Sequence, residues 1–575
     1  LSILGVYDGH NAGAGLINRN GAVVAAVEEE RFSRIKNHDA RAGHEAAPFE
    51  SVAFCVANAT DPITEVAFGI QRPEELARLA LANFDERVAA GQAQRLKRAA
   101  ALGITNAALR ELPESSQRQR VETLSRAVAD AGLGDLPVSF IDHHSAHAGG
   151  AFLLSGAKKA LVVTLDGKGD DASGSVSVGR DSTIERILTL PTEDSLGHLY
   201  SSFTVACGLR PQRDEGKLQA MAAAGNPDRH VRAWLDEIFY LDTDSGAIRG
   251  RLNEGLIVGP YPDRPVDVHN NLVRGRIAGV SSVDAAATIQ SFLEELVTAF
   301  ATWHLERSGQ RTLVVAGGIF ANVSVNRRLA DLPRVDELHV HPAMTDAGIA
   351  LGAAAVATAR SGVTLAPLHS VDLGPEYSDD VAARAFADEG YRILSPTGPA
   401  ERALAAQLAK GRVVARFVGR AEYGPRALGY RSILAPATDP GMPATLNRML
   451  QRSNVMPFAP LARSRDTALL FAADPALATP IRFMTAAVPC THETRRRYPA
   501  IVHTDGTARP QLTDEGALVS ILDELERLNG DQVVINTSFN MHDEPMVCRP
   551  SDAARTAHVA GIATVQVGGL IATLR

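Results

Sequence analysis

A strand, an acidic glycine turn and a second strand occur twice in this chain, and that repetition limits its fold more than any other feature. Ser2–Val6 is apolar and breaks at Asp8-Gly9-His10. The small residues of Ala12–Ile17 follow, and Asn20-Gly21 turns the chain into Ala22–Val27. Apolar stretches joined by an Asn-Gly turn predict a β-meander. The pattern returns at Ala160–Leu165, passes through Asp166-Gly167-Lys168-Gly169-Asp170-Asp171, and resumes at Gly174–Val178. The two copies share few identities, but their common order predicts a duplicated α/β unit. A chain of 575 residues exceeds what one core organises, so a further domain is expected.

The stretch from Pro73 to Ala131, between the copies, has helical character. A long helix over Val283–Ser308 stops at Gly309. Thr312–Ala316 reads as a buried strand, followed by Gly317-Gly318 and a helix carrying Asn322 and Asn326. Glu337–His341 is another strand, and Asp346 opens the Ala/Gly-rich helix Ala347–Ala359. Ser361–Asp380, with Pro367 and Pro375 and no sustained periodicity, reads as a linker. From about Ala400 a second α/β unit carries apolar strands at Val413–Val418, Val533–Ile535 and Ala563–Val567.

The pentapeptide His143-His144-Ser145-Ala146-His147 sets two imidazoles one helical turn apart, with Cβ atoms roughly 5–6 Å apart. That spacing lets both converge on one cation, and Asp142 is placed to cap the helix. Asp8, Asp166 and Asp346 each follow a strand. Aspartate is common at such exits as turn chemistry alone. Beside two histidines, Asp166 or Asp346 completes a two-histidine, carboxylate site suited to Fe(II), Mn(II) or Zn(II).

Gly317-Gly318 lets an anionic ligand approach the backbone at a helix start. Asp214-Glu215-Gly216-Lys217 offers a carboxylate and an ammonium for ribose or phosphate. Gly424-Pro425-Arg426-Ala427-Leu428-Gly429-Tyr430-Arg431-Ser432 holds two arginines, with Arg420 upstream and Arg509 and Arg549 further on. Guanidinium forks suit phosphate and carboxylate, and a chain of net charge −8 needs a local reason for such a cluster. Asn536-Thr537-Ser538-Phe539-Asn540 adds hydrogen-bonding side chains after a strand. The overall charge gives no footprint for nucleic acid or an anionic membrane. Cys55, Cys207, Cys490 and Cys548 are too dispersed for a zinc motif and too few for a disulfide framework. With no membrane-spanning apolar run and no signal-peptide pattern, a cytoplasmic protein without nucleic-acid or membrane partners is expected.

These motifs, taken in order, resemble the O-carbamoyltransferases of antibiotic and nodulation-factor biosynthesis. The segments that carry the resemblance are Tyr7–Ala12, Glu28–Arg34, His143–His147, Asp166-Gly167, Glu215-Gly216-Lys217, Gly317-Gly318 with Asn322, Gly424–Ser432, Pro457-Phe458-Ala459-Pro460, Ala508-Arg509-Pro510-Gln511 and Asn536–Asn540. The resemblance implies an α/β chain with an actin-like (ASKHA) duplicated domain at 1–360 and a linker at 361–394. A smaller α/β domain at 395–575 would resemble the enzymes that make threonylcarbamoyl-adenylate. It implies that the C-terminal site forms carbamoyl-adenylate from carbamoyl phosphate and ATP, with Mg²⁺, and that the N-terminal site passes the carbamoyl group to a small-molecule hydroxyl.

By the same resemblance His143, His147, Asp166 and Asp346 would bind the metal, with Fe(II) or another divalent first-row ion in place. His10 would be the general base, and Lys36 and Arg426 would be catalytic. Glu215, Lys217, Gly317, Gly318 and Asn322 would hold the nucleotide. Arg420, Arg426, Arg431, Arg452, Arg509, Asn536 and Ser538 would serve substrate binding in the C-terminal site. The acceptor pocket would be lined by Glu28–Lys36 and the helical insertion. Oligomeric state is silent in the sequence, though multidomain cytosolic enzymes are often dimers.

One stretch departs from the family pattern. Ahead of Pro457 the chain reads Leu450-Gln451-Arg452-Ser453-Asn454-Val455-Met456, with Gln451, Asn454 and Met456 where the family commonly carries charge. A missing phosphate contact would weaken binding by about 1.5–3 kcal/mol. The competing reading is a nucleotide-binding pseudoenzyme or partner subunit with a decayed activation site. A kinase or ATPase of the same superfamily leaves the arginine-bearing domain unexplained.

Overall fold

The computed structural model describes residues 2–40, 49–76, 106–250, 265–452, 457–514 and 516–574. Part of the helical insertion (77–105), Asn454 and Met456 lie outside them. The insertion is helical where it is described, in Asn106–Asp130.

The first copy of the repeat forms a five-stranded sheet. Its strands are β1 (Ser2–Tyr7), β2 (Gly13–Ile17), β3 (Val23–Glu28), β4 (Ile63–Phe68) and β5 (Val138–Phe140), in the order β3-β2-β1-β4-β5. β1, β2 and β3 make the expected antiparallel meander, while β4 and β5 join in parallel. The second copy comprises β6 (Lys159–Gly169), β7 (Ala172–Arg180) and β8 (Thr183–Pro191). A small hairpin of β9 (Phe239–Leu241) and β10 (Ile248–Gly250) intervenes before β11 (Thr312–Ala316) and β12 (Glu337–Val340). The sheet order β12-β11-β6-β7-β8 repeats that of the first, with the meander antiparallel and the last two strands parallel. The duplication read from a handful of residues is therefore a duplication of topology. Asp166–Asp171 is not a free turn, however. It is a bulged extension of β6, with a register shift between Leu165 and Gly169 and the reversal confined to Asp170-Asp171.

Helices His143–Leu153 and Ile349–Arg360 pack between the sheets, one from each copy. Small residues set their separation: a Cβ on Gly352 would stand 2.0 Å from the Ala146 carbonyl oxygen. That close crossing brings the N-terminus of the first helix, bearing His143, beside the start of the second, bearing Asp346.

The C-terminal part holds an eight-stranded, mostly antiparallel sheet. Its centre is Val414–Phe417, Arg431–Pro436, Val534–Ser538 and Ala459–Arg463. Residues 361–378 contain no helix or strand segment, and they line the first sheet: Ala26 N donates to the Leu373 carbonyl. The stretch expected as linker changes character at helix Asp379–Asp388, and Tyr391–Leu394 is already a strand of the C-terminal sheet. Among the described residues no helix is long and apolar enough to cross a membrane.

Candidate active site

His143 and His147 face two carboxylates from other elements. Asp142 caps their helix, its side chain accepting from Ser145 N at 3.1 Å. The His147 Nε2 lies 3.0 Å from Asp166 Oδ2 on β6 and 3.6 Å from Asp346 Oδ1. His143 Nε2 is 3.6 Å from Asp166 and 3.5 Å from Asp346, and it is buried without a hydrogen-bond partner among the described residues. One donor atom from each of the four lies within 4.8 Å of the others. Tyr7, at the end of β1, donates to Asp346 Oδ2 at 2.9 Å.

Burial would keep the His147 imidazole neutral, but its contacts with Asp166 and Asp346 push its pKa up to about 9. Burial also opposes charge on Asp166, yet the two histidines hold it well below the usual carboxylate range. The site thus retains a proton between two imidazoles and two carboxylates, where a cation would satisfy all four. Nitrogen and oxygen donors without thiolate suit a divalent first-row ion. Both Asp166 and Asp346 belong to the cluster.

Asp8 does not. Its buried carboxylate is gripped by Arg120, whose Nη2 donates to Oδ1 at 2.7 Å and whose Nε lies 3.1 Å from both oxygens. Arg120 comes from the helical insertion, and no motif announced it. His10 follows in the same loop, its Nε2 buried without a partner. Lys36 Nζ stands 3.5 Å from Glu30 Oε1.

Gly318 reaches the cluster directly, since a Cβ there would lie 3.0 Å from Asp166 Oδ1. Asn322 is not within a helix. It caps Val323–Ala330, accepting from Ser324 N and Val325 N, and pairs by reciprocal amide bonds with Gln290 at 2.8 and 3.1 Å. Glu215 accepts from Ser201 Oγ and Gln212 N, and Lys217 pairs with Asp214 at 2.8 Å. Gln219, on the Lys217 helix, donates to Ser324 at 3.1 Å, so the elements carrying Lys217 and Asn322 are neighbours.

The arginines of the C-terminal part divide into two kinds. Arg431 and Arg420 are structural, contrary to their expected role in substrate binding. The terminal nitrogens of Arg431 donate to carbonyls of Val418, Gly419 and Pro375 at 2.6–3.0 Å, over the Phe417 ring. Arg420 spends all three of its nitrogens on carbonyls of Gly374, Val24 and Leu373. Arg426 and Arg509 are the opposite case. Neither has a hydrogen-bond or ion-pair partner among the described residues, and the Arg426 Nε is buried and unsatisfied. Burial, with Arg509 close by, drives the Arg426 pKa well below the usual guanidinium value; burial brings that of Arg509 down to about 10.

Asn536 ties their surroundings together, donating to Ala427 O and to Gln511 Oε1, while Gln511 donates to Leu428 O. Glu422, which sequence reading overlooked, shapes the loop by accepting from the backbone N–H groups of Leu428, Tyr430 and Arg431. Arg452 turns inward onto Thr537, Ser538 and Asn540, whereas Gln451 is exposed, with φ of 55°. Ser538 is thereby a partner of Arg452.

Two family models match: "Carbamoyltransferase N-terminus" over residues 2–355 and "Carbamoyltransferase C-terminus" over 405–573. The nodulation protein NolNO of Sinorhizobium fredii is 31% identical, covering 97% of this chain and 78% of its own. The nodulation protein NolO of Bradyrhizobium diazoefficiens is 31% identical, covering 76% and 79%. Component A of the (R)-2-hydroxyglutaryl-CoA dehydratase of Acidaminococcus fermentans has a TM-score of 0.34 and 11% identity, covering 63% of this chain and 99% of that one.

Proposed function

The chain belongs to the carbamoyltransferase family, and from that premise we propose that it uses ATP and carbamoyl phosphate to carbamoylate a hydroxyl of a small-molecule natural product. The observation that carries this reading is the Arg426/Arg509 pair. Arg426 and Arg509 are half-buried, with the Arg426 Nε itself buried. Two such guanidinium groups close together, with no counter-ion among the described residues, are unfavourable, and an anion of two or more charges relieves both. Carbamoyl phosphate, or the phosphates of ATP, is such an anion. A decayed activation site would have no reason to keep both forks open.

A carbamoyl group is resonance-stabilised and a poor electrophile, so it needs a leaving group. Hydrolysis of carbamoyl phosphate releases inorganic phosphate and leaves carbamate. A carbamate oxygen then attacks the α-phosphorus of ATP, pyrophosphate departs, and AMP is the leaving group of the resulting carbamoyl-adenylate. Arg426 and Arg509 would hold the phosphate oxygens, and Asn536 and Glu422 keep the loop that carries Arg426 in place.

His143, His147, Asp166 and Asp346 would hold the cation, with Fe(II) the ion implied by the family resemblance and Mn(II) or Zn(II) equally suited to the donors. When bound, it supplies Lewis acidity at the carbamoyl carbonyl. The Tyr7 hydroxyl fixes the orientation of Asp346. The His10 Nε2, uncommitted to any described partner, is available to take the acceptor's hydroxyl proton, a role imidazole fills near neutral pH. A cytoplasmic location and a dimeric assembly belong to the same proposal.

The test is pyrophosphate release by the purified protein given ATP, Mg²⁺ and carbamoyl phosphate. The reading expects release that requires carbamoyl phosphate and is abolished in Arg426→Ala. Release indifferent to either change would overturn it.

A further inference from the structure

The loop that carries Arg426 is fastened to the other domain at three points. Gly424 N donates to Glu28 Oε1 at 2.7 Å, and Gly424 O accepts from Arg31 Nη2 at 2.8 Å. Both side chains are buried. Their carboxylate and guanidinium, 3.6 Å apart, close on the two polar groups of one residue. Burying such a pair between domains is unfavourable unless its polar atoms are used, and here one oxygen of Glu28 and one terminal nitrogen of Arg31 are used on Gly424. That residue has φ of +97°, and a Cβ on it would lie 3.2 Å from the Pro342 carbonyl oxygen, so the loop rests on the segment leading to Asp346. The third point is Tyr423, whose hydroxyl donates to Ala347 O at 2.8 Å. Ala347 is the residue after Asp346, and Arg426 lies two residues beyond Gly424.

We propose that Glu28, Arg31 and Tyr423 are positioning residues that lock the Arg426 loop to the His/Asp cluster, so that an anion at Arg426 and a cation at the cluster strengthen each other's binding. The inference rests on the proposed function for the nature of the two ligands. Its chemical sense follows from that function: an activated carbamoyl group made in one domain and used in the other is exposed to hydrolysis unless both sites are ready together. The connection consists of hydrogen bonds from buried side chains to backbone groups, and well-packed elements joined in this way transmit a displacement rather than absorb it.

The test uses the full chain, with Mn²⁺ and inorganic phosphate as probes in titration calorimetry. Phosphate should tighten Mn²⁺ binding by about five- to tenfold, and Mn²⁺ should tighten phosphate binding by the same factor, as linkage requires. Tyr423→Phe keeps the ring and loses one hydrogen bond. It should bind each probe alone within about twofold of the wild type, with the mutual effect below about twofold. A merely structural tyrosine would lower thermal stability and leave the mutual effect intact. If the wild type binds both probes without mutual effect, or Tyr423→Phe retains it, the inference fails and the proposed function stands. If the wild type binds phosphate no better than Arg426→Ala, the functional reading fails and the inference falls with it.

Discussion

The His147 Nε2 and Asp166 Oδ2 stand 3.0 Å apart, joining a helix N-terminus of the first repeat to the bulged strand of the second. The metal assignment stands on this contact and its three companions. His143→Ala with His147→Ala removes both nitrogen donors, and Mn²⁺ or Fe²⁺ affinity should fall by more than the ~10–100-fold typical of outer-shell changes. Calorimetry measures it, with circular dichroism to show that the fold persists. Unchanged metal affinity in the folded double variant would refute the assignment.

Tyr7→Phe deletes one hydrogen bond to Asp346 and little else. Metal affinity should drop by about 10–100-fold, while stability changes by only ~0.5–1.5 kcal/mol. An unaltered affinity would mean that Tyr7 does not orient Asp346.

Arg426→Met should be more stable than the wild type in phosphate-free buffer, by on the order of 1 kcal/mol, because it relieves the repulsion from Arg509 and the partial burial of a cation unpaired among the described residues. Phosphate at 100 times its Kd should stabilise the wild type by about 2.7 kcal/mol and leave Arg426→Met unmoved. Thermal denaturation with and without phosphate decides it. A variant less stable than the wild type in phosphate-free buffer would contradict the reading of Arg426 as an open anion site.

That contrast shows what the sequence could carry and what it could not. The arginine-rich loop was legible as a place of unusual charge, but Arg426, Arg431 and Arg420 look alike in one dimension. Only the path of the backbone separates a fork without a partner among the described residues from forks consumed by the carbonyls of Val418 or Gly374. Likewise, Asp8 and Asp166 read alike in the sequence, each following the first apolar strand of its repeat. Arg120 arrives at Asp8 from a helix more than a hundred residues away, and no local pattern predicts a long-range partner. His143 and His147 were legible because helical periodicity alone puts them together. Asn322 was found, but its partner Gln290 sits inside a long helix where glutamine is unremarkable. The topology was legible because strand and turn signals are local.

Glu30 provides a pH test. Burial raises its pKa, but Lys36, Arg31 and the Asn37 N–H outweigh burial and bring it down from 4.5 to about 2. A folded-state pKa below the unfolded value stabilises the protein above the unfolded pKa, and the contribution is lost as pH falls through the folded one. Glu30→Gln should therefore be destabilised at pH 7, by up to about 3 kcal/mol. The gap to the wild type should close between roughly pH 4.5 and 2, as denaturant titration at several pH values would show. A gap independent of pH would place the effect in packing rather than charge.

The most direct measurement needs no acceptor. The purified protein is incubated with ¹³C-carbamoyl phosphate, ATP and Mg²⁺, and the products are resolved by mass spectrometry. A labelled carbamoyl-adenylate, absent with Arg426→Ala and still formed by the His143→Ala, His147→Ala variant, is the predicted result. Failure to form that adenylate, in a protein shown to bind ATP, would contradict the account.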